Sequence, residues 1–150
     1  MTRNFKRLAF FCLLLLTGCE KYYLSLRQMP IDVSYLASSH VNTPDPRRLD
    51  PPRGQKIVLQ WAVPPELLEK KPQIVFHMIY KNHTEKTVVY PIESRLGYEV
   101  YSLLDKDYDE TGGLLTYKAD IITSDHQIYR EWKHQLWVNL ITLEENSENK

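Results

Sequence analysis

The sequence predicts an all-β protein, a single antiparallel sandwich of about seven strands. Three observations lead there. From Lys56 onward apolar residues recur at every second position, the spacing of a half-buried strand. Turn-forming clusters separate these runs at intervals of roughly 8–12 residues. The chain has 150 residues, 43% hydrophobic and 25% charged, the make-up of one ordinary globular domain.

Residues 20–55 come first and contain Pro30, Pro44, Pro46, Pro51 and Pro52, five of the nine prolines. Each removes a backbone donor and pushes the preceding residue toward extended geometry, so the stretch reads as a spacer or long irregular loop. Within it Ile31, Val33, Tyr35 and Ala37 alternate with Asp32, Ser34 and Leu36, which predicts an edge strand, with an adhesive linker as the alternative. Ile57, Leu59, Trp61 and Val63 then share one face opposite Lys56 and Gln60. Pro64-Pro65 stops that strand, and Pro65 to Glu69 suits a single helical turn. Residues 74–80 are apolar on both faces except at His77, as in a central strand. Lys81 to Glu85 is a polar turn. The run from Thr87 to Ile92 carries Pro91 and suits an edge.

Tyr98, Val100, Ser102 and Leu104 define the next strand, and Leu115, Tyr117, Ala119 and Ile121 the one after. Ser124 to Gln127 reads as a hairpin turn. The last run, residues 128–143, is too long for one plain strand, so a bulge or break is expected near Lys133-His134. Residues 144–150 contain no apolar side chain and are expected to be disordered. The predicted organisation is therefore residues 1–18, a leading segment 19–55, a sandwich 56–143 and a tail 144–150.

The first nineteen residues have their own logic. Arg3, Lys6 and Arg7 precede an apolar run from Leu8 to Leu16, and Thr17-Gly18-Cys19 follows. Leu8 to Gly18 would reach roughly 16 Å as a helix, against a hydrocarbon core of about 30 Å, so it is too short to span. A basic start, a short apolar run and small residues before a cut make an export signal. Leu16-Thr17-Gly18-Cys19 resembles the lipobox of bacterial lipoproteins. The resemblance implies cleavage between Gly18 and Cys19, a diacylglyceryl group on the Cys19 thiol and an acyl chain on its freed amine. One acyl chain holds a protein marginally, and two or three hold it stably. Glu20 resembles the outer-membrane class of such proteins, which implies a lipid-anchored domain facing the periplasm of a bacterial cell envelope.

Cys12 would leave with the signal and Cys19 would be consumed by lipid, so the mature chain would contain no free thiol and no disulfide. Signal removal takes three cations and no acid. Nineteen basic and nineteen acidic residues thus become sixteen and nineteen, a net charge of −3. Neither balance supplies the basic surface by which nucleic-acid binders displace counterions, and no nucleic-acid partner is expected.

Gly-Gly-Leu-Leu-Thr-Tyr-Lys-Ala-Asp-Ile-Ile, residues 113–123, resembles strand F of fibronectin type III or immunoglobulin-like domains. That resemblance implies a tyrosine corner at Tyr117, and Trp61 resembles the core tryptophan of such domains. The paired cysteines of antibody domains are missing, and a small barrel stays open as an alternative. Glu131 to Trp137 resembles a segment of small lipoproteins of chlamydia-like bacteria.

Chemistry-bearing patterns are sparse. Asp105, Asp107 and Asp109 stand at alternate positions, as at the start of a calcium loop, but Glu110 occupies the sharp-turn glycine position and Thr116 the bidentate glutamate position. A solvated acidic loop is the competing reading. His40, His77, His83, His126 and His134 include no i, i+4 pair. No Gly-x-Ser-x-Gly, Ser-x-x-Lys, Gly-x-Gly-x-x-Gly or Walker pattern occurs. Neither an enzyme nor a cofactor beyond the acyl chains is expected. Tyr90, Tyr101, Tyr129 and Trp137 fall opposite the assigned core positions and form a candidate interaction face for an envelope protein. Rival readings are a ligand-binding module for calcium, lipid or glycan, and a secretin pilotin or assembly chaperone.

Overall fold

The computed structural model describes residues 21–137 apart from Asn42. The leader read above as an export signal, Cys19, residues 138–143 and the tail expected to be disordered lie outside the described residues. The protein is an antiparallel β-sandwich of seven strands in two sheets. The smaller sheet contains β1 (Tyr23–Ile31), β2 (Gly54–Ala62) and β5 (Leu96–Leu104) in the order β1-β2-β5. The larger contains β3 (Gln73–Tyr80), β4 (Glu85–Pro91), β6 (Leu114–Ile122) and β7 (Ile128–Lys133) in the order β4-β3-β6-β7. Three short helices lie in the connections: α1 (Ser38–Val41), α2 (Pro65–Leu68) and α3 (Asp105–Thr111).

The core lies between the sheets. Ile57 and Leu59 of β2 meet Ile74 and Phe76 of β3 and Ala119 and Ile121 of β6, all without solvent contact. Alternation puts these residues on one face of each strand, and burial at about 25 cal/mol per Å² is what holds the layers together. α2 forms where a single turn was expected, with Leu67 buried. The last run was expected to break near Lys133-His134, and its strand stops there, residues 138–143 of that run being outside the described residues. β7 ends at Lys133, and the His134 N–H still donates to the Tyr117 carbonyl at 3.0 Å.

The first strand lies earlier than the alternation of residues 31–37 suggested. β1 buries Leu24 and Leu26 and pairs with β2 from Tyr23↔Ala62 to Ile31↔Gly54. Pro30 is tolerated because β1 is the edge of its sheet, where a missing donor breaks no second ladder. Beyond Ile31 the Asp32 carboxylate accepts the Ser34 N–H at 2.8 Å and caps a 3-10 turn, Val33–Tyr35, in place of a strand. The segment that follows packs against the sandwich. Leu36 is buried, and buried Ser38 donates to Asp45 at 3.0 Å. Residues 23–31, counted above with the lead, thus belong to the sandwich.

β5 is out of phase with the expected core face. Tyr101 and Leu103 point inward, whereas Tyr98 is 67% exposed and Val100 and Ser102 are also exposed. The strand carries apolar side chains on both faces, so alternation defines a strand without saying which side is inside. Register decides it, because Ile57↔Tyr101 puts Tyr101 on the buried face of β2. In β6 an irregularity opposite Ile79/Tyr80 turns Leu114 inward and leaves Leu115 half-buried.

Candidate functional site

The four aromatics expected to share a face do not do so. Tyr101 is in the core, its ring edge-on to Phe76 with centroids 5.8 Å apart. Its hydroxyl is 2.6 Å from that of Tyr80, and burial, with that bond adding to it, pushes the Tyr80 phenol up. Tyr90 is half-buried against the same core, and burial raises its phenol too. Tyr129 is exposed on β7. Trp137 lies beyond β7 on the outer side of the larger sheet, 5.7 Å from the Lys118 ammonium. Two of the four thus build the interior and two lie outside it.

Tyr117 is buried in β6, not at a corner where the strand begins. Its ring stacks on Trp132 at 5.5 Å, approaches His134 at 4.9 Å and meets Phe76 edge-on at 6.0 Å. Trp61 is in the core as expected, and its indole N–H donates to the Ser94 carbonyl at 3.0 Å.

The acidic segment is a helix, not an ion-binding loop. At 100° per residue Asp107 points away from the side shared by Asp105 and Asp109. That shared side is occupied by Arg53, whose backbone N–H donates to Asp105 at 3.1 Å and whose guanidinium meets Asp109 at 3.0 Å. Gly112 at φ 70° ends the helix in the left-handed conformation that glycine takes without strain. Among the described residues no group of three or more His, Cys, Asp or Glu could hold a metal ion.

His77 projects from the outer side of β3, where Nδ1 is 3.0 Å from the Thr87 hydroxyl. Burial holds its pKa below the usual imidazole value, and nearby Lys118 adds to the shift. The folded state therefore favours neutral His77. Its contribution to stability is present above the unfolded-state pKa of about 6.5 and is lost as pH falls toward the lower folded value. Urea midpoints measured as pH drops below about 6.5 should fall less in His77→Gln than in the native chain.

The face that sequence reasoning missed is the outer side of the smaller sheet. Cross-strand rows there are Tyr23–Ala62–Leu96, Ser25–Gln60–Tyr98 and Arg27–Val58–Val100, followed by Met29–Lys56–Ser102. In the last row Lys56 is partly covered. Tyr35, from the β1–β2 connection, lies over Lys56 with its ring centroid 4.3 Å from the ammonium and its hydroxyl accepting at 3.1 Å. The other end is open, with Leu96 69% and Tyr98 67% exposed and Tyr23 and Val100 also in contact with solvent. Beside it a cleft of about 560 Å³ opens between Tyr22, Ala62, Val63 and Leu96, with Lys21 at its rim. No outward position of these three strands is acidic.

No protein-family model, curated protein or solved structure matches this chain. Its chemistry is therefore read from its own residues. The signal that could have located the open face was present in β5, where Leu96, Tyr98 and Val100 alternate with Tyr101 and Leu103. A strand apolar on both faces that forms the edge of a sheet must leave one face bare unless another element covers it.

Proposed function

We propose that the chain is a bacterial lipoprotein, anchored to an envelope leaflet by acyl chains on Cys19. Its sandwich would serve a non-catalytic role in holding or assembling another envelope component. The observation that carries the reading is Leu16-Thr17-Gly18-Cys19 at the end of a basic, then apolar, leader. Two features support it. The fold begins at Tyr23, so Cys19 needs only a short link to the domain. The apolar face bordered by Tyr23 and Leu96 has the make-up of a contact surface. The core position of Trp61 supports the likeness to immunoglobulin-like and fibronectin type III domains.

β4 offers a place for a protein partner. It is an edge strand of the larger sheet, with Val89 exposed, and its backbone could pair with an added strand. Lys86 and Pro91 are the kinds of residue that keep such an edge from pairing indiscriminately.

The test is metabolic palmitate labelling of the full chain in a bacterial host, with Cys19→Ser alongside. The native chain should incorporate label and sediment with membranes. Cys19→Ser should lose the label entirely and move to the soluble fraction. An unlabelled native chain, or a Cys19→Ser chain that sediments unchanged in salt and carbonate washes, overturns the assignment.

A further inference from the structure

We infer that the open end of the smaller sheet's outer face is a lipid-docking surface, lying on the same leaflet that holds the acyl chains. This rests on the lipoprotein reading and adds an orientation to it. Chain length makes the first argument. Four peptide steps separate Cys19 from Tyr23, a reach of at most about 14 Å. A nine-residue strand such as β1 is itself about 30 Å long, so the tether is shorter than the domain it carries. The Tyr23 end of the sheet cannot leave the membrane surface while the lipid remains inserted.

The second argument is what stands at that end. Tyr23, Leu96, Tyr98 and Val100 are exposed there on one face. Tyrosine is favoured at the headgroup level, where its ring meets the acyl boundary and its hydroxyl stays wet. Lys21 and Arg27 flank these residues and complement anionic headgroups, while Glu93 and Glu99 line a cleft beside Tyr98. The third argument is the opposite pole. Ile31, Gly54 and Leu104 end the three strands at the other end, and the acidic helix α3 follows directly from Leu104. Asp105, Asp107, Asp109 and Glu110 are thereby held at the end far from the tether, while Glu66, Glu69 and Glu93 stand in the connections at the near end.

The mature chain would carry no free thiol, so an introduced cysteine is a unique probe. Leu96→Cys, Tyr98→Cys and, in exposed α3, Lys106→Cys would each be made in the full chain, lipidated in the host. Each would then be reconstituted on the outer leaflet of vesicles of phosphatidylethanolamine and phosphatidylglycerol. A membrane-impermeant maleimide should label Lys106→Cys fully, while labelling of Leu96→Cys and Tyr98→Cys is lost until detergent dissolves the vesicles. Equal labelling of all three on sedimenting vesicles overturns the docking and leaves the anchor intact. Failure of the chain to sediment with vesicles overturns both. Protection of Leu96→Cys that persists in dilute detergent assigns the face to a segment of the chain itself, and disulfide-linked pairs of Leu96→Cys assign it to a second copy. Either result overturns the lipid as occupant.

Discussion

Truncating Phe76 to alanine is expected to cost about 3–5 kcal/mol of folding stability. Phe76 has no solvent contact and lies on β3, which is paired on both sides, to β4 through Val88 and to β6 through Ala119. Its ring meets Tyr101 at 67° and Tyr117 at 70°, so it joins the aromatic residues of the two sheets. Removing it leaves a void that the flanking ladders prevent from collapsing, and part of the core is lost without compensation. In a domain whose total stability is of order 5–15 kcal/mol, that is about a fifth of the total or more. Urea denaturation of the unlipidated Cys19→Ser chain would measure it. Tyr98→Ala in the same background should change stability by no more than about 0.5 kcal/mol. Comparable losses at both positions would mean that Tyr98, not only Phe76, is buried.

The strands were legible where one face is clearly apolar and the other clearly polar. Ile57, Leu59 and Trp61 alternate with Lys56 and Gln60, and β2 is where that pattern puts it. β3 was legible for another reason, since a run apolar on both sides ended by a polar turn fits a central strand. β5 is ambiguous in sequence. Leu96, Tyr98 and Val100 compete with Tyr101 and Leu103, and only pairing with β2 breaks the tie. The same tie concealed both the inward position of Tyr101 and the exposed face. β1 was obscured by Pro30, which argues against a strand until the strand is known to be an edge. The acidic segment misled because alternate aspartates suit a calcium loop in sequence, whereas i, i+4 aspartates on a helix can share one arginine.

Net charge also misleads when taken over the whole chain. On the lipoprotein reading the balance of −3 offers no attraction to anionic lipid, although the outward positions of the smaller sheet themselves carry no acid. Screening limits such fields to about 8–10 Å at physiological ionic strength, so the residues next to the tether govern the approach and the distant acids contribute little. On that reading the lipid would supply the holding energy, and the exposed side chains next to the tether the orientation.

Gly54→Ala is the second substitution expected to have a large effect, and its cause is backbone rather than core. Gly54 opens β2 between Ile31 of β1 and Leu104 of β5, with φ 153°. A Cβ built there would fall on the Leu103 carbonyl oxygen, with the Leu104 Cα at 3.0 Å and the Leu103 carbonyl carbon at 3.1 Å. All three obstacles are main-chain atoms, so no rotamer change relieves them. Either β2 and β5 separate at this end or the φ angle moves. The overpacking should cost about 1–3 kcal/mol, and strained backbone adds a cost of similar order. Gly97→Ala provides the contrast. There the added methyl would meet the Trp61 ring, a side chain, although the indole bond to Ser94 restrains its escape. The loss should accordingly be smaller at Gly97 than at Gly54. The site of the damage is also specific. The Asp105 N–H donates to the Arg53 carbonyl at 2.8 Å, just where the strands would part. Gly54→Ala should therefore accelerate hydrogen exchange at Asp105 far more than at Ile74 or Ile121, whereas uniform acceleration would indicate global destabilisation without local separation of β2 from β5.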